Sequence, residues 1–281
     1  MEKEMKAVAK KTTQKEAKFL RDLQAEYSKA YSNAYRELRD ILDKMPGGKL
    51  NAVEMQKYNR LEKLTKNIQD ELNRVGSMQT NQLKTFLKDA YEINYYNTGY
   101  AIDKTLGIKT GFSAVDRKQV GAMINNPLLN IAIADNKAKV KMDISRTLAQ
   151  AVANGDGIQA TAKKLKDRID VSLSRATRIA RTETTKTMAK ARIDGMKRAS
   201  DAGIKIQKEW VATLDERTRE SHAEVDGEKV DLDKNFSNGL SQPDEVNCRC
   251  SITAYFPDYS RDRKDDYKYA NYEDWAKQNH I

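Results

Sequence analysis

Two cysteines stand one residue apart near the C-terminal end of this chain, as Cys248-Arg249-Cys250, and the 281 residues contain no others. His222, one of two histidines, precedes them. Thiols and an imidazole offer three outcomes: a soft-metal site, nucleophilic catalysis by a cysteine–histidine pair, or two small thiols filling a core. Residues 248 and 250 of an extended strand share a face, which suits ligands and core fillers equally. Further upstream lie Asp215-Glu216-Arg217-Thr218 and Arg181-Thr182-Glu183. Consecutive helical side chains fan out, so Arg181, Thr182 and Glu183 do not converge as a catalytic trio. Glu183 is instead expected to pair with a strand-side arginine such as Arg217, locking helix to sheet. Asp215 and Arg217 flank a turn and are expected to fix that loop. The remaining histidine is His280, the acidic groups are scattered, and no oxyanion-type motif is present. A hydrolase or metal-dependent nuclease is therefore not expected, and the chain reads as a non-enzyme.

The elements that must carry these residues are mostly helical. Phe19, Leu23, Tyr27, Tyr31, Ala34, Leu38 and Ile41 recur at helical steps, and Met45-Pro46-Gly47-Gly48 breaks the run. A second helix follows, interrupted at Gly76-Ser77, and a third carries Leu83, Phe86, Leu87, Ala90 and Tyr91. Residues 1–98 thus predict a helical hairpin or bundle. Tyr27, Tyr31 and Tyr35 form either part of its core or a stripe for a partner. Residues 99–170 form a helical middle region, with one helix ending at Asn154-Gly155 and another starting after Asp156. A longer helix starts at Asp170 or Ser172 and ends near Gly203. Beyond it, Trp210, an Asp226-Gly227 turn and the run Ser251–Phe256 predict a small antiparallel sheet packed on that helix. The fold class is α+β, with a mainly α-helical N-terminal two-thirds and a small helix-plus-sheet module at 171–256. Residues 257–281 read as a charged, tyrosine-rich tail, disordered or docked on a partner, with no further domain.

Apolar residues make up 39% and charged residues 33% of the chain, a balance that fits long solvated helices. No apolar run approaches a membrane span, and the charged N-terminus does not resemble a signal peptide. The net charge is +10. It concentrates in residues 137–209, with 18 basic against 8 acidic groups, whereas residues 210–281 carry 10 against 16. Such a basic stretch favours a polyanion, most often nucleic acid. Arg175, Arg178, Lys186, Lys190, Arg192, Lys197 and Arg198 lie on or near one long helix and are the DNA-binding candidates. Their contacts would be to phosphate and independent of sequence.

The order Ala180-Arg181-Thr182-Glu183-Thr184, Trp210, Asp215-x-Arg217-Thr218, Asp226-Gly227, Phe236, Pro243 and Cys248-Arg249-Cys250 resembles the phage head morphogenesis family. These are the minor head proteins similar to phage Mu protein F and the SPP1 minor head protein. The matching residues cover about a quarter of the chain. The resemblance implies a minor capsid component that enters the procapsid, associates with the portal, and serves DNA packaging or ejection. Implied partners are the portal protein, double-stranded DNA and the scaffold or major capsid protein. The implied location is the virion, inside the head near the portal, after assembly in the host cytoplasm. Because related modules are fused to toxins, the alternative is a co-delivered effector or DNA-processing enzyme. Many members carry a zinc-like set around the C-R-C residues. Here its positions are reduced to His222, Cys248, Cys250 and Glu245, either a zinc site or a remnant packed in the core. No other cofactor is implied.

Overall fold

The computed structural model describes residues 2–258 and 271–281, with side chains from residue 8 onward. The helices are α1 (Glu2–Leu42), α2 (Ala52–Gln56), α3 (Arg60–Leu106), α4 (Arg117–Ile124), α5 (Pro127–Asn154), α6 (Ile158–Asp201), α7 (Glu220–Ala223) and α8 (Tyr272–Gln278). The strands are β1 (Gln207–Val211), β2 (Lys229–Asp231) and β3 (Ser251–Tyr255). The α+β expectation holds: long helices dominate, and one three-stranded sheet lies near the C-terminus. No described helix is long and apolar enough to cross a membrane. The chain divides into two compact units, each built from separated segments.

One unit comprises residues 18–83 and 127–179. Here α1, α3, α5 and α6 pack as an up-down-up-down four-helix bundle. Asn33 donates to Glu71 at 3.0 Å and Gln69 to Ser145 at 2.8 Å, linking α1 to α3 and α3 to α5. Asn136 donates to the Ser172 carbonyl at 3.1 Å, and the Tyr27 hydroxyl meets the Ser172 hydroxyl at 3.1 Å, which closes the ring. Leu23, Leu38, Ile68, Leu72, Ile144 and Leu165 fill the interior.

Two expected breaks are absent. Helix α3 runs through Gly76-Ser77, because a side chain at Gly76 would collide with the Lys137 stem of α5, and Lys137 donates to Ser77 at 3.2 Å. This glycine makes room for a neighbouring helix and does not end its own. Helix α6 likewise runs through Asp170 and Ser172, since Ser172 is buried in the polar knot just described and caps no helix. Of the three tyrosines, Tyr27 is core, whereas Tyr31 and Tyr35 are half-buried.

The other unit comprises residues 1–17, 84–126 and 180–281. Asn94 on α3 is fully buried; it donates to Thr12 of α1 at 3.1 Å and accepts from Arg192 of α6 at 3.1 Å. The sheet order is β2-β1-β3, antiparallel throughout, with Trp210 opposite Ile252 and Lys208 opposite Ala254. Alternation places Lys208 and Trp210 on one face of β1. That face joins Ala189 and Ile193 of α6, Val225, Phe236 and both cysteines in one core cluster. The predicted Asp226-Gly227 turn exists, but it follows α7 and leads into β2; it does not join two adjacent strands directly. Gly227 adopts φ +76° and donates to the Trp210 carbonyl at 2.9 Å. The tail residues that are described fold back on their own unit. Trp275 of α8 is completely buried against Tyr100 and Phe112, and its indole donates to Asp103 at 2.8 Å.

Candidate functional site

The A-R-T-E-T turn, together with Thr185 that follows it, holds the segment that bears the cysteines. Thr182 accepts from the Asn247 backbone N–H at 3.1 Å, and Thr185 donates to the Cys248 carbonyl at 2.9 Å. One turn of α6 therefore pins the backbone on both sides of the Asn247–Cys248 peptide, where Asn247 takes a left-handed φ of +58°. Asp215 accepts from the Arg217 N–H at 2.9 Å and receives both guanidinium nitrogens of Arg249. That fork holds the Asp215 carboxyl well below the usual carboxylate range. Thr213 also donates to the Arg249 carbonyl at 2.8 Å. Asp226 accepts from the Ala212 N–H at 2.7 Å, which fixes the end of β1. The expected Glu183–Arg217 lock is not formed. Glu183 pairs with Lys186 one turn along α6 at 3.1 Å, and Arg217 stays with Asp215 at 3.7 Å. Arg249, which sits between the two cysteines, reaches the same Asp215 carboxylate and so shares the loop-fixing role expected of Asp215 and Arg217.

The thiol–imidazole cluster is real and buried. His222 is 2% exposed, Cys248 4% and Cys250 6%. Both sulfurs face the same ring nitrogen: Nδ1 lies 3.5 Å from Cys248 Sγ and 3.6 Å from Cys250 Sγ. The Cys248 thiol acts toward Cys250, holding Cys250 below the usual thiol range while that contact and burial push Cys248 up. Glu245 does not join them. Its Oε2 lies 2.8 Å from His222 Nε2, the opposite ring nitrogen, and off the hydrogen-bond direction. The same carboxylate meets Arg219 at 3.4 Å. Trp210 closes the cluster edge-on, its ring centroid 5.2 Å from that of His222.

Beside the cluster opens a cleft of about 870 Å³. Arg181, Arg217, Arg219 and Arg249 line it, together with Glu16 of α1 and both cysteines. Burial raises the Glu16 carboxyl, against the opposing pull of Thr184 and Arg181. The three sequence motifs thus meet at one cleft, although their residues are separated in the chain. Glu16 was not singled out from the sequence, and nothing in its helical surroundings marks it.

The basic candidates are dispersed. Arg175 and Arg178 fall in the bundle, whereas Lys186, Lys190, Arg192, Lys197 and Arg198 fall in the other unit. Lys190 pairs with Asp194 at 2.6 Å, Arg175 faces Asp143 at 3.9 Å, and Arg198 donates to the Gly111 carbonyl at 3.0 Å. Lys197 is exposed. Arg192 must be corrected: it is 3% exposed, and its guanidinium is committed to Asn94, Ser251 and the Ile252 carbonyl. A phosphate cannot reach it in this fold. Lys208 is also buried, donating to the Ser241 carbonyl at 2.8 Å.

A family described as "Phage Mu protein F like protein" matches residues 142–253. The match spans the second half of α5, all of α6 and most of the sheet module. The minor head protein GP7 of Bacillus phage SPP1 is 28% identical over 279 residues, covering 89% of this chain and 90% of that protein. The NAD(+)--arginine ADP-ribosyltransferase EFV of Enterococcus faecalis (strain ATCC 700802 / V583) is 24% identical over 269 residues, covering 86% of this chain but 55% of that protein. No solved structure matches the chain. With the motifs meeting in one module and the likeness to GP7 running nearly end to end, the chain resembles the phage minor head proteins similar to phage Mu protein F.

Proposed function

We propose that this protein is a portal-associated minor capsid component, acting in procapsid assembly and in DNA packaging or delivery. It resides in the virion, inside the head near the portal. The observation that carries this reading is the near end-to-end likeness to a minor head protein. The test is co-purification of the full chain with the portal protein of the same phage. A complex that survives gel filtration is the expected result, and separate elution at micromolar concentrations refutes portal association.

DNA contact is the second element of the proposal. Residues 127–179 carry ten basic and five acidic groups, and Lys139, Arg146, Lys163 and Arg168 are exposed there. A surface of this kind binds duplex phosphate without reading bases, and its affinity falls steeply with salt. Retention of random-sequence DNA should weaken progressively between low and physiological salt; retention indifferent to salt refutes the electrostatic account.

We read the protein as a non-enzyme. The competing reading, a co-delivered effector, draws on the likeness to a protein named as an arginine ADP-ribosyltransferase. The chain corresponds to about half of that protein's length, so a segment common to both suffices for the likeness. Incubation with labelled NAD and an arginine-bearing acceptor separates the two: no incorporation is expected, and transfer of label supports the effector.

A further inference from the structure

We infer that the arginine-lined cleft is a docking site for a carboxylate-rich, extended segment of a partner polypeptide, gripped by Arg181 and Arg217. All the residues that line this space of about 870 Å³ belong to one compact unit. Four of them are arginines, and among the described residues Glu16 is the one carboxylate in the lining. Two of the arginines are already engaged: Arg249 forks onto Asp215, and Arg219 donates to the Val246 carbonyl at 2.7 Å. The other two reach solvent. Arg217 has a 79% exposed side chain and lies 3.7 Å from Asp215, whose oxygens Arg249 occupies. Arg181 is exposed, and its charge acts on Glu16. A buried group points the same way. Arg192 is 3% exposed, its partners Asn94, Ser251 and the Ile252 carbonyl are all neutral, and its Nη2 is buried without one. Ser251 lines the cleft. A buried, uncompensated cation is weakly screened, and a concave wall of one sign focuses its field on an incoming anion.

Shape and lining select the class of anion. A space of this size takes a few residues of chain, and the convex surface of duplex DNA does not enter it. A single nucleic-acid strand is held by stacking its bases on aromatic rings as well as by charge, and among the described residues no aromatic side chain lines the cleft. Carboxylates suit it better. A guanidinium presents paired N–H groups that match a carboxylate, as Arg249 and Asp215 already show beside the cleft. Ala9, Met188 and Ala189 add apolar lining for the aliphatic stems of glutamate side chains. Arg181 comes from α6 and Arg217 from the loop after β1, so carboxylates linked along one chain engage both at once, an advantage that separate small acids lack. The site is apart from the exposed bundle residues to which DNA contact is ascribed, and it does not require the partner to be the portal, so neither reading falls with it.

The test titrates the full chain into a fluorescent peptide of about ten glutamates at physiological salt and follows anisotropy. Saturable binding is expected, with none to a glutamine peptide of equal length and no displacement by free glutamate at the same carboxylate concentration. Arg181→Ala and Arg217→Ala should each weaken binding roughly tenfold or more. Lys139→Ala/Lys163→Ala removes more charge from exposed positions of the bundle and should change it by no more than about twofold. If an alanine variant does not fold, lysine at that position, which keeps the charge and loses the fork, is read in its place and should also weaken binding. Equal losses in the arginine and lysine-to-alanine variants overturn the site, as does failure of the peptide to saturate. Tighter binding of an oligothymidylate of equal charge, lost in the arginine variants, gives the cleft to a nucleic-acid strand and overturns the polypeptide assignment. A sedimentation dimer that the arginine variants abolish gives it to a second copy of this chain and overturns the partner assignment.

Discussion

The docking of α8 through Trp275 is the most exposed point of this description to experiment. The ring is 0% exposed and meets Tyr100, Phe112 and Tyr272 at centroid distances of 5.9, 5.7 and 5.8 Å. A tryptophan buries about 150–250 Å², which at about 25 cal/mol per Å² corresponds to about 4–6 kcal/mol. Measured aromatic truncations of about 3–5 kcal/mol agree. Trp275→Ala should therefore release α8, which is only seven residues long. A loss of about 3 kcal/mol or more corresponds to roughly hundred-fold or faster amide exchange, read in α8 and in the Ile102–Leu106 end of α3. Trp275→Phe keeps the ring contacts and removes one donor to Asp103. Asp103 retains the Thr110 N–H at 3.1 Å and hydroxyl at 2.6 Å, so that variant should lose only about 1–3 kcal/mol. Exchange in Trp275→Ala within threefold of the parent protein would refute the docking, and equal effects of the two variants would refute the division between packing and hydrogen bond.

Other expectations follow from the same unit and from the bundle. Burial raises the Asp103 carboxyl, so its contribution to stability is fully present below the unfolded carboxylate pKa and is lost as pH rises through the raised folded value; Asp103→Asn should flatten the pH dependence of α8 exchange across that window. Thr185→Val should cost about 1 kcal/mol by removing the donor to the Cys248 carbonyl, with faster exchange around residues 247–250. Gly99→Ala should destabilise by about 1–3 kcal/mol, because the added carbon would sit 2.7 Å from the Phe112 ring. Gly76→Ala should change thermal stability little, since the displaced group is the flexible Lys137 stem and the gain in helix propensity is about 1 kcal/mol.

The sheet module was legible because its cues are local. Trp210 with alternating neighbours, the Asp226-Gly227 pair and the Ser251–Phe256 run each declare their conformation within a few residues. The pairing of the two cysteines was legible for a similar reason, since alternate residues of an extended segment face one way, although both lie just before β3 begins at Ser251. The side of the His222 ring taken by Glu245 was not, because it depends on the turn that precedes Cys248. Helix boundaries misled where a residue serves a neighbour: Gly76 admits Lys137, and Ser172 joins Tyr27 and Asn136. Charge misled most at Arg192 and Lys208. A lysine or arginine is assigned to the surface by type, and only the tertiary arrangement supplies the Asn94 side chain and the Ile252 and Ser241 carbonyls that let these two be buried. Arg217 and Arg249 are likewise alike in sequence, and only the loop geometry selects Arg249 for the fork on Asp215.

The segmented make-up of the units has a consequence for synthesis. The unit that carries the cysteines requires residues 1–17, 84–126 and 180–281. Its first segment leaves the ribosome long before its last, with an interval of roughly ten to thirty seconds at ordinary elongation rates. During that time the Lys84–Leu106 part of α3 carries apolar faces, Ile102 and Leu106 among them, whose partners Met196, Ala199 and Ile206 do not yet exist. The bundle needs nothing beyond Ile179 and can close first, leaving those faces for the last hundred residues to cover. A chain stalled or cut after α6 would therefore hold a finished bundle beside an uncovered apolar surface, a state suited to capture by chaperones or by a second unfinished chain.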